Sequence, residues 1–297
     1  MTPVISLHEA VSLSDRFPLL AGVTLEVAPG EVVHLRGANG AGKSSLLRAC
    51  AGLEQVVSGK AVVLGHDLTV DRQSVRRQVG LLAHSTFLYD DLTVEHNVRF
   101  AVRASRSGDD AVGATLAQLG LDGRLRETPV RRLSAGQRRR VALAVLVARR
   151  PRLWLLDEPH AGLDADGRDM LDDLVGRARD AGATVLVASH ELERASAISD
   201  RTVTVAGGRI LAVAPVAPVA AERPATLVVT HPLAAPRSPG SPGSPGSPGA
   251  PDASDASDAP DASDAPGETA GAPGATRDEA TGATGAPVRA GAGRDVA

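Results

Sequence analysis

The segment from Gly37 to Ser44 constrains the fold of this chain more than any other. It reads Gly-Ala-Asn-Gly-Ala-Gly-Lys-Ser and fits the pattern G-x-x-x-x-G-K-[ST] at every fixed position. An apolar run precedes it at 32–35 and a helical pattern follows it at 45–50, so a strand, a loop and a helix succeed one another. In that context glycines curl the backbone around a phosphate, Lys43 reaches the terminal phosphates and Ser44 holds Mg²⁺. The segment therefore predicts a nucleoside triphosphate site.

The composition changes near residue 215. Fourteen of the twenty prolines lie from Pro215 onward, whereas all five aromatic residues lie before it. Ser-Pro-Gly, Asp-Ala-Ser and Asp-Ala-Pro units follow, and they have few side chains whose burial would offset the entropy cost of ordering. We therefore expect one folded domain over residues 1–214 and a low-complexity, disordered tail over 215–297. Within the tail, the apolar stretch 226–229 is a candidate strand or docking segment.

Charge and hydropathy argue against several classes of protein. The tail has ten acidic residues and five arginines, and the chain has a net charge of −3, so residues 1–214 are near +2. This balance argues against a nucleic-acid partner, which usually requires a basic face, and we interpret the cluster 138–140 as a solvated helix face. With no apolar stretch of 18 residues, no secretory start and a single cysteine, we expect a cytoplasmic chain that does not span a membrane.

Hydrophobic spacing predicts a mixed α/β core with a helical insert at about 86–150. Short β-rich or apolar runs predict strands at 4–7, 23–27, 32–35, 61–64, 79–83, 153–156 and 184–188, and a hairpin formed by 202–205 and 209–213. Helical spacing is found at 93–106 and 109–119, and again from Ser134 to about Arg149.

Four further motifs follow the phosphate loop in order. Residues 133–137, Leu-Ser-Ala-Gly-Gln, open a helix and form a second anion site. An apolar strand then ends in Asp157 and Glu158, where one carboxylate can hold Mg²⁺ through water and the other can act as general base. The segment 161–164, Ala-Gly-Leu-Asp, and a strand that ends in Ser189-His190 complete the set.

In this order and spacing, the five motifs resemble those of ATP-binding subunits of ABC transporters, over residues 1–214. The resemblance implies an ABC-type P-loop NTPase fold with a mixed sheet and a helical subdomain, and an ATPase that uses Mg²⁺. It implies that phosphates and magnesium are bound by Gly37, Ala38, Asn39, Gly40, Ala41, Gly42, Lys43, Ser44 and Ser45. It also implies that Ser134, Gly136 and Gln137 contact the γ-phosphate held by an opposite subunit, that Asp157 and Glu158 are the Walker B pair, that Asp164 lies at the dimer interface and that His190 is the switch histidine.

The resemblance also implies partners. A phosphate loop at one end of a compact subunit and an anion site on its helical insert cannot reach one phosphate, so two subunits arranged head-to-tail would complete two sites. We therefore expect an ATP-dependent homodimer on the cytoplasmic face of the cell membrane, with a separate permease as partner. The segment 87–100 either contacts that permease or packs internally.

Two departures from the family pattern matter. His84 stands where the family usually has a glutamine that links magnesium to the permease, and with Ala135 and Ser189-His190 it makes the chain similar to the ATP-binding subunits of haem exporters in cytochrome c maturation. No aromatic residue lies near Ser14, the usual adenine-stacking position, so Phe17 either replaces it or belongs to the core.

Two alternative functions stay open. One is the ATPase subunit of another exporter, for drugs, lipids or polysaccharides. The other is a soluble ABC protein that acts on DNA or ribosomes, which the single cassette and the short segment between Lys43 and Ser134 disfavour.

Overall fold

The computed structural model describes residues 2–14, 17–106 and 108–216. The predicted tail lies outside the described residues, apart from Pro215 and Val216, and so does the apolar stretch at 226–229. Pro215 ends a strand, and the Val216 amide donates to the Asp200 carbonyl oxygen at 3.0 Å, so regular structure extends slightly past the expected boundary at 214.

In the described part of the chain ten strands form two sheets, and the strands predicted between residues 4 and 213 are all present. The bounds are β1 (Ile5–Ser14), β2 (Phe17–Val27), β3 (Val32–Arg36), β4 (Val56–Val63), β5 (His66–Asp67), β6 (Val79–Leu82), β7 (Leu153–Asp157), β8 (Thr184–Ala188), β9 (Arg201–Ala206) and β10 (Arg209–Pro215). A four-stranded antiparallel sheet has the order β2-β1-β4-β5, and a six-stranded sheet has the order β10-β9-β3-β8-β7-β6.

The six-stranded sheet determines where the site lies. Strands β9, β3, β8, β7 and β6 are parallel, and only β10 runs antiparallel to its neighbour. The carboxyl ends of β3, β8, β7 and β6 therefore lie along one edge, which is where ligands bind in open parallel sheets. The phosphate loop, His190, the Asp157–Glu158 pair and His84 follow these four strands in that spatial order.

Seven α-helices cover the sheets in the described part of the chain. They are α1 (Lys43–Cys50), α2 (Arg72–Gln78), α3 (Val94–Ala104), α4 (Val112–Gln118), α5 (Ala135–Arg149), α6 (Ala165–Asp180) and α7 (Leu192–Ala197). Helices α3, α4 and α5 match the helical spacing found from 93 to 149, and α3 starts where predicted because the Thr93 hydroxyl caps it. The sequence-based assignment missed α2, α6 and α7.

Two apolar clusters form the core. One lies between the two sheets around α1, and the other joins the six-stranded sheet to α3, α4, α5 and α6. Cys50 is buried as expected, and burial raises the pKa of its thiol to about 12. Among the described helices, none combines the length and apolar character that a bilayer crossing requires.

Candidate functional site

The phosphate loop runs from the end of β3 to the start of α1. The side chain of Lys43 is buried and folds back over this loop, where its Nζ donates to the carbonyl oxygens of Gly37 at 2.8 Å and Ala38 at 3.1 Å. These two bonds hold the ammonium group at the centre of the loop, where it can meet a phosphate without a large rearrangement.

Glycine is required at two positions of the loop for different reasons. A Cβ atom on Gly37 would lie 2.2 Å from the carbonyl oxygen of Val205 in β9. Gly42 has φ of 106°, in the left-handed region, and occupies the N-cap position of α1. The loop therefore packs backbone against backbone and leads directly into the N-terminus of α1, where an anion is favoured.

A cleft of about 560 Å³ joins the phosphate loop to the carboxylates after β7. Its lining brings together a large part of the predicted phosphate and magnesium site. The lining residues are Pro18, Leu19, Asn39, Gly40, Ala41, Gly42, Lys43, Ser44, Ser45, Asp157, Glu158, Gly207 and Gly208. Ser44 and Asp157 thus place a hydroxyl and a carboxylate in one cleft, and oxygen donors of this kind suit Mg²⁺.

The Gly207–Gly208 turn is a wall of this cleft that sequence reasoning did not foresee. The Gly208 amide donates to the Ala41 carbonyl at 2.9 Å, and the Gly208 carbonyl accepts from the Ala21 amide at 2.8 Å. A Cβ atom on Gly208 would lie 2.7 Å from the Leu19 carbonyl oxygen. The glycine pair signalled a hairpin turn, but its packing against the loop depends on tertiary contacts that no local pattern encodes.

Glu158 and His190 form a direct pair across the ends of β7 and β8. His190 Nδ1 donates to Glu158 Oε2 at 2.7 Å, and the His190 backbone amide lies 3.3 Å from the same oxygen. The His190 side chain is 72% exposed and that of Glu158 is 23% exposed. Glu158 lines the cleft, whereas His190 is not among the described residues that line it and exposes its imidazole to solvent.

Glu158 has an unusual backbone for a glutamate. Its φ is 46°, in the left-handed region, which costs of order 1–3 kcal/mol for a non-glycine residue held there. Its amide donates to the Ala188 carbonyl of β8 at 2.8 Å. Strained backbone at a carboxylate in a cleft is typical of functional sites.

His34, which sequence reasoning did not single out, supports the segment that carries His190. It is buried in β3, and its Nε2 donates to the Ser189 carbonyl at 3.1 Å. Burial lowers the pKa of His34, so this imidazole is neutral at pH 7. The contact becomes visible only in the folded sheet, where β3 lies next to β8, the strand that precedes Ser189.

The cluster at 138–140 corrects a sequence-based interpretation. Arg138 reaches Asp90 at 2.7 Å and Arg140 reaches Asp164 at 3.0 Å, as expected for a solvated face. Arg139, in contrast, is buried and donates to backbone carbonyls after β6 and β7. Burial lowers the pKa of its guanidinium, and the charges of Asp157 and Glu158 oppose that shift. The solvated-face interpretation was therefore wrong for Arg139.

The signature segment, residues 133–137, lies apart from the cleft. The Ser134 hydroxyl accepts from the Gln137 amide at 3.2 Å, and the Gln137 Oε1 accepts from the Ser134 amide at 3.0 Å, which is a complete capping box. The predicted opening of a helix at Ser134 is confirmed. None of Ser134, Gly136 and Gln137 is among the described residues that line the cleft.

Asp164 and Gly136 connect the signature segment to α6. The Asp164 carboxylate caps α6 by accepting from the Gly167 amide at 3.0 Å and also accepts from Arg140. The Gly167 bond, followed by the Arg140 contact, lowers the pKa of Asp164. A Cβ atom on Gly136 would lie 3.2 Å from the Gly162 carbonyl oxygen, so the two segments are in close contact.

His84 and Phe17 lie outside the cleft lining of the described residues. His84 is exposed and follows β6, three strand spacings or roughly 14 Å from β3, so its role toward magnesium stays a prediction. Phe17 is 77% exposed, so the alternative that it belongs to the core was wrong, and its stacking on adenine stays a prediction. Its neighbours Pro18 and Leu19 line the cleft instead.

A second, mainly apolar groove of about 410 Å³ lies between the end of β6 and α3. Phe87, Tyr89 and Phe100 line it and are each at least half exposed. The Tyr89 and Phe100 rings pack edge-to-face with centroids 5.0 Å apart. These aromatic residues are therefore only partly used in internal packing.

Comparison with known proteins places this geometry in a family. The family model described as ABC transporter matches residues 20–161. The cytochrome c biogenesis ATP-binding export protein CcmA of Vibrio parahaemolyticus is 33% identical over 190 residues, which are 63% of this chain and 92% of that protein. The chain belongs to the ABC transporter family.

Other members of the family are also similar. The aliphatic sulfonates import ATP-binding protein SsuB 1 of Xanthomonas axonopodis pv. citri is 39% identical over 209 residues, which are 68% of this chain and 81% of that protein. A solved ATP-binding subunit of an ABC transporter is 27% identical with a TM-score of 0.66, and the match covers 71% of this chain and 90% of that one. The chain is thus the ATP-binding subunit of an ABC transporter, with the ABC ATPase fold, and it binds and hydrolyses ATP.

Proposed function

We propose that this ABC ATPase works as a homodimer with two shared ATP sites. The observation that carries the proposal is the lining of the cleft, which contains the phosphate loop and the Asp157–Glu158 pair but no residue of the signature segment in the described part of the chain. The N-terminus of α5 has the partial positive charge that favours an anion. A second copy would bring its signature segment to the γ-phosphate.

Within each shared site, side chains of this chain have distinct tasks. The residues from Gly37 to Ser45 bind the triphosphate, and Ser44 and Asp157 fit a magnesium ion, which when bound neutralises phosphate charge. Glu158 accepts a proton from the attacking water, and His190, already hydrogen-bonded to Glu158, orients that carboxylate toward the γ-phosphate. Gly136, Gln137 and Asp164 act at the interface between the two copies.

The experiment that tests the shared site mixes two inactive variants. Lys43→Ala loses the phosphate-loop charge, and Ser134→Arg blocks the second anion site. In mixed dimers, the phosphate loop of the Ser134→Arg chain meets the intact signature segment of the Lys43→Ala chain. Half of the dimers would then have one of two sites intact, so we expect about a quarter of the wild-type rate.

The mixing experiment distinguishes sites shared between two chains from sites built within one chain. If each site were built within one chain, the mixture would hydrolyse ATP no faster than the two variants measured separately. That outcome would reject the shared site, and the controls are each variant mixed with itself.

We further propose that the dimer powers a membrane permease from its cytoplasmic face. The groove lined by Phe87, Tyr89 and Phe100 offers apolar surface to a permease helix, and coupling would pass through the segment 87–100. The similarity to CcmA proteins supports haem export for cytochrome c maturation as the transport process. Co-purification with a candidate permease, followed by ATPase assays with haem, tests this assignment.

A second candidate is an ATPase subunit that serves another cargo. The 39% identity to an aliphatic sulfonates import ATP-binding protein supports this second candidate. Haem would then leave the ATPase rate of the purified complex unchanged, whereas a different cargo would stimulate it.

A further inference from the structure

Arg139 is a buried cation that the shared ATP site does not use directly. It lies in the second turn of α5, which the signature segment opens. In the described part of the chain, Lys43 is the only other lysine or arginine that is buried. Because a buried guanidinium costs free energy unless its donors are satisfied, its position requires an explanation.

The donors of Arg139 all meet backbone carbonyls. Nη1 donates to Ala83 at 2.6 Å, and Nη2 donates to Glu158 at 2.7 Å and to Asp157 at 3.1 Å. Nε lies 3.4 Å from the Pro159 carbonyl. One side chain thus joins α5 to the end of β7 and to the residue before His84.

These contacts fix the peptide bond that follows Glu158. The Glu158 amide is held by the Ala188 carbonyl, and its own carbonyl is held by Arg139. Its φ of 46° is a conformation that persists only when the surroundings hold it. A change at Arg139 would release the carbonyl and allow the carboxylate to turn away from the cleft.

We propose that Arg139 is a positioning residue that holds Glu158 in its strained conformation and ties it to the loop after β6. The inference rests on the proposed function, because it takes Glu158 as the general base. Through Ala83 it also gives the loop that carries His84 a direct mechanical link to the base. A shift of that loop would thereby change the orientation of Glu158 without contact with the nucleotide.

The first test is Arg139→Lys in the full chain. A single ammonium group cannot bond at once to the Ala83 carbonyl after β6 and to the carbonyls at the end of β7, so we expect kcat to fall about 10-fold. The dissociation constant for ATP should stay within about two-fold, because the phosphate loop is untouched. Arg138→Lys, next to it but paired with Asp90 on the surface, is the matched control and should keep the wild-type rate. If Arg139→Lys does not fold, Arg139→Gln is assayed by the same criteria.

The second test places Arg139→Lys in a Glu158→Gln background. If Arg139 acts through Glu158, the double variant should be as slow as Glu158→Gln alone, because the base is already lost. A further 10-fold loss in the double variant, an unchanged kcat in Arg139→Lys, or an equal loss of ATP affinity would overturn the inference. Normal turnover of Glu158→Gln alone would instead reject the base assignment, so the two failures are distinguishable.

Discussion

The phosphate-loop cleft and the signature segment of this ABC ATPase differ in how complete they are. In the cleft, loop glycines and a buried lysine that follow β3 converge on one volume with the two carboxylates at the end of β7. In the signature segment, Ser134 and Gln137 bond to each other's backbone, and both lie outside that volume. One subunit therefore supplies a complete phosphate loop with its carboxylates at the cleft, but only the N-terminus of a helix at the signature segment.

The backbone explains why the two regions differ. The cleft lies where parallel strands end, so the sheet itself brings the loop after β3 close to the residues after β7 and β8. The signature segment follows a 3₁₀ turn at Val130–Arg132 and opens α5, which packs on α3, α4 and β6. Arg139 in its second turn bonds to the backbone at the end of β7, but no described residue of the signature segment lines the cleft.

The largest effect should follow Lys43→Ala. Removing the ammonium that bonds Gly37 and Ala38 should lower ATP hydrolysis by about 10³-fold, since the terminal phosphates lose their main cation. ATPase assays with purified protein measure it. Lys60→Ala, on the exposed surface of β4, changes the only other lysine and is the matched control. If Lys43→Ala kept a rate within ten-fold of wild type, Lys43 would not be the main cation at the terminal phosphates.

A smaller effect should follow Gly208→Ala at the wall of the cleft. The new Cβ would meet the Leu19 carbonyl at 2.7 Å, and φ of 69° adds left-handed strain. We expect a loss of about 2–3 kcal/mol in the free energy of unfolding and weaker ATP binding. Gly207→Ala, where a Cβ has no atom within 4 Å, should lose only about 1 kcal/mol. Urea titration compares them, and equal losses would show that packing against β2 is irrelevant.

Glu95 lies in α3, which packs on the helix that the signature segment opens. The pH dependence of its contribution to stability tests this second region of the comparison. Arg126 and Arg99 hold its carboxylate at 2.6 Å and lower its pKa to about 2 from 4.5. Because the folded pKa is depressed, the stabilisation is complete above pH 4.5 and is lost as the pH falls toward 2. Glu95→Gln should therefore cost about 1 kcal/mol at pH 7 and progressively less below pH 4.5.

Urea titrations of both proteins at several pH values measure this difference, with exposed Glu127→Gln as control. ATP affinity should not change in Glu95→Gln, because the helical side does not line the cleft. A cost that stayed constant down to pH 2 would contradict the ion-pair assignment.

How far the sequence predicts this molecule depends on whether contacts are local. The strands, the start of α5 at Ser134 and the cap of α3 at Thr93 were predictable because alternation and capping are encoded within a few residues. The burial of Arg139 and the contact of His34 with Ser189 were not, because each joins segments far apart in the chain. The sequence left Phe17 between adenine stacking and the core, because an aromatic residue at the start of a strand does not indicate whether another element covers it.

The smallest effect should follow deletion of residues 236–297. This deletion tests whether the cleft and the signature segment depend on any residue beyond the folded domain. The segment is low-complexity sequence, mainly proline, glycine, alanine, serine and aspartate, with few side chains whose burial would offset the cost of ordering. We expect kcat, ATP affinity and the mixing result to stay within about two-fold of the full chain. The same assays on a chain shortened only to residue 266 provide an intermediate control. A large loss in the shorter chain alone would mean that residues 236–266 complete a site which the cleft and the signature segment do not complete by themselves.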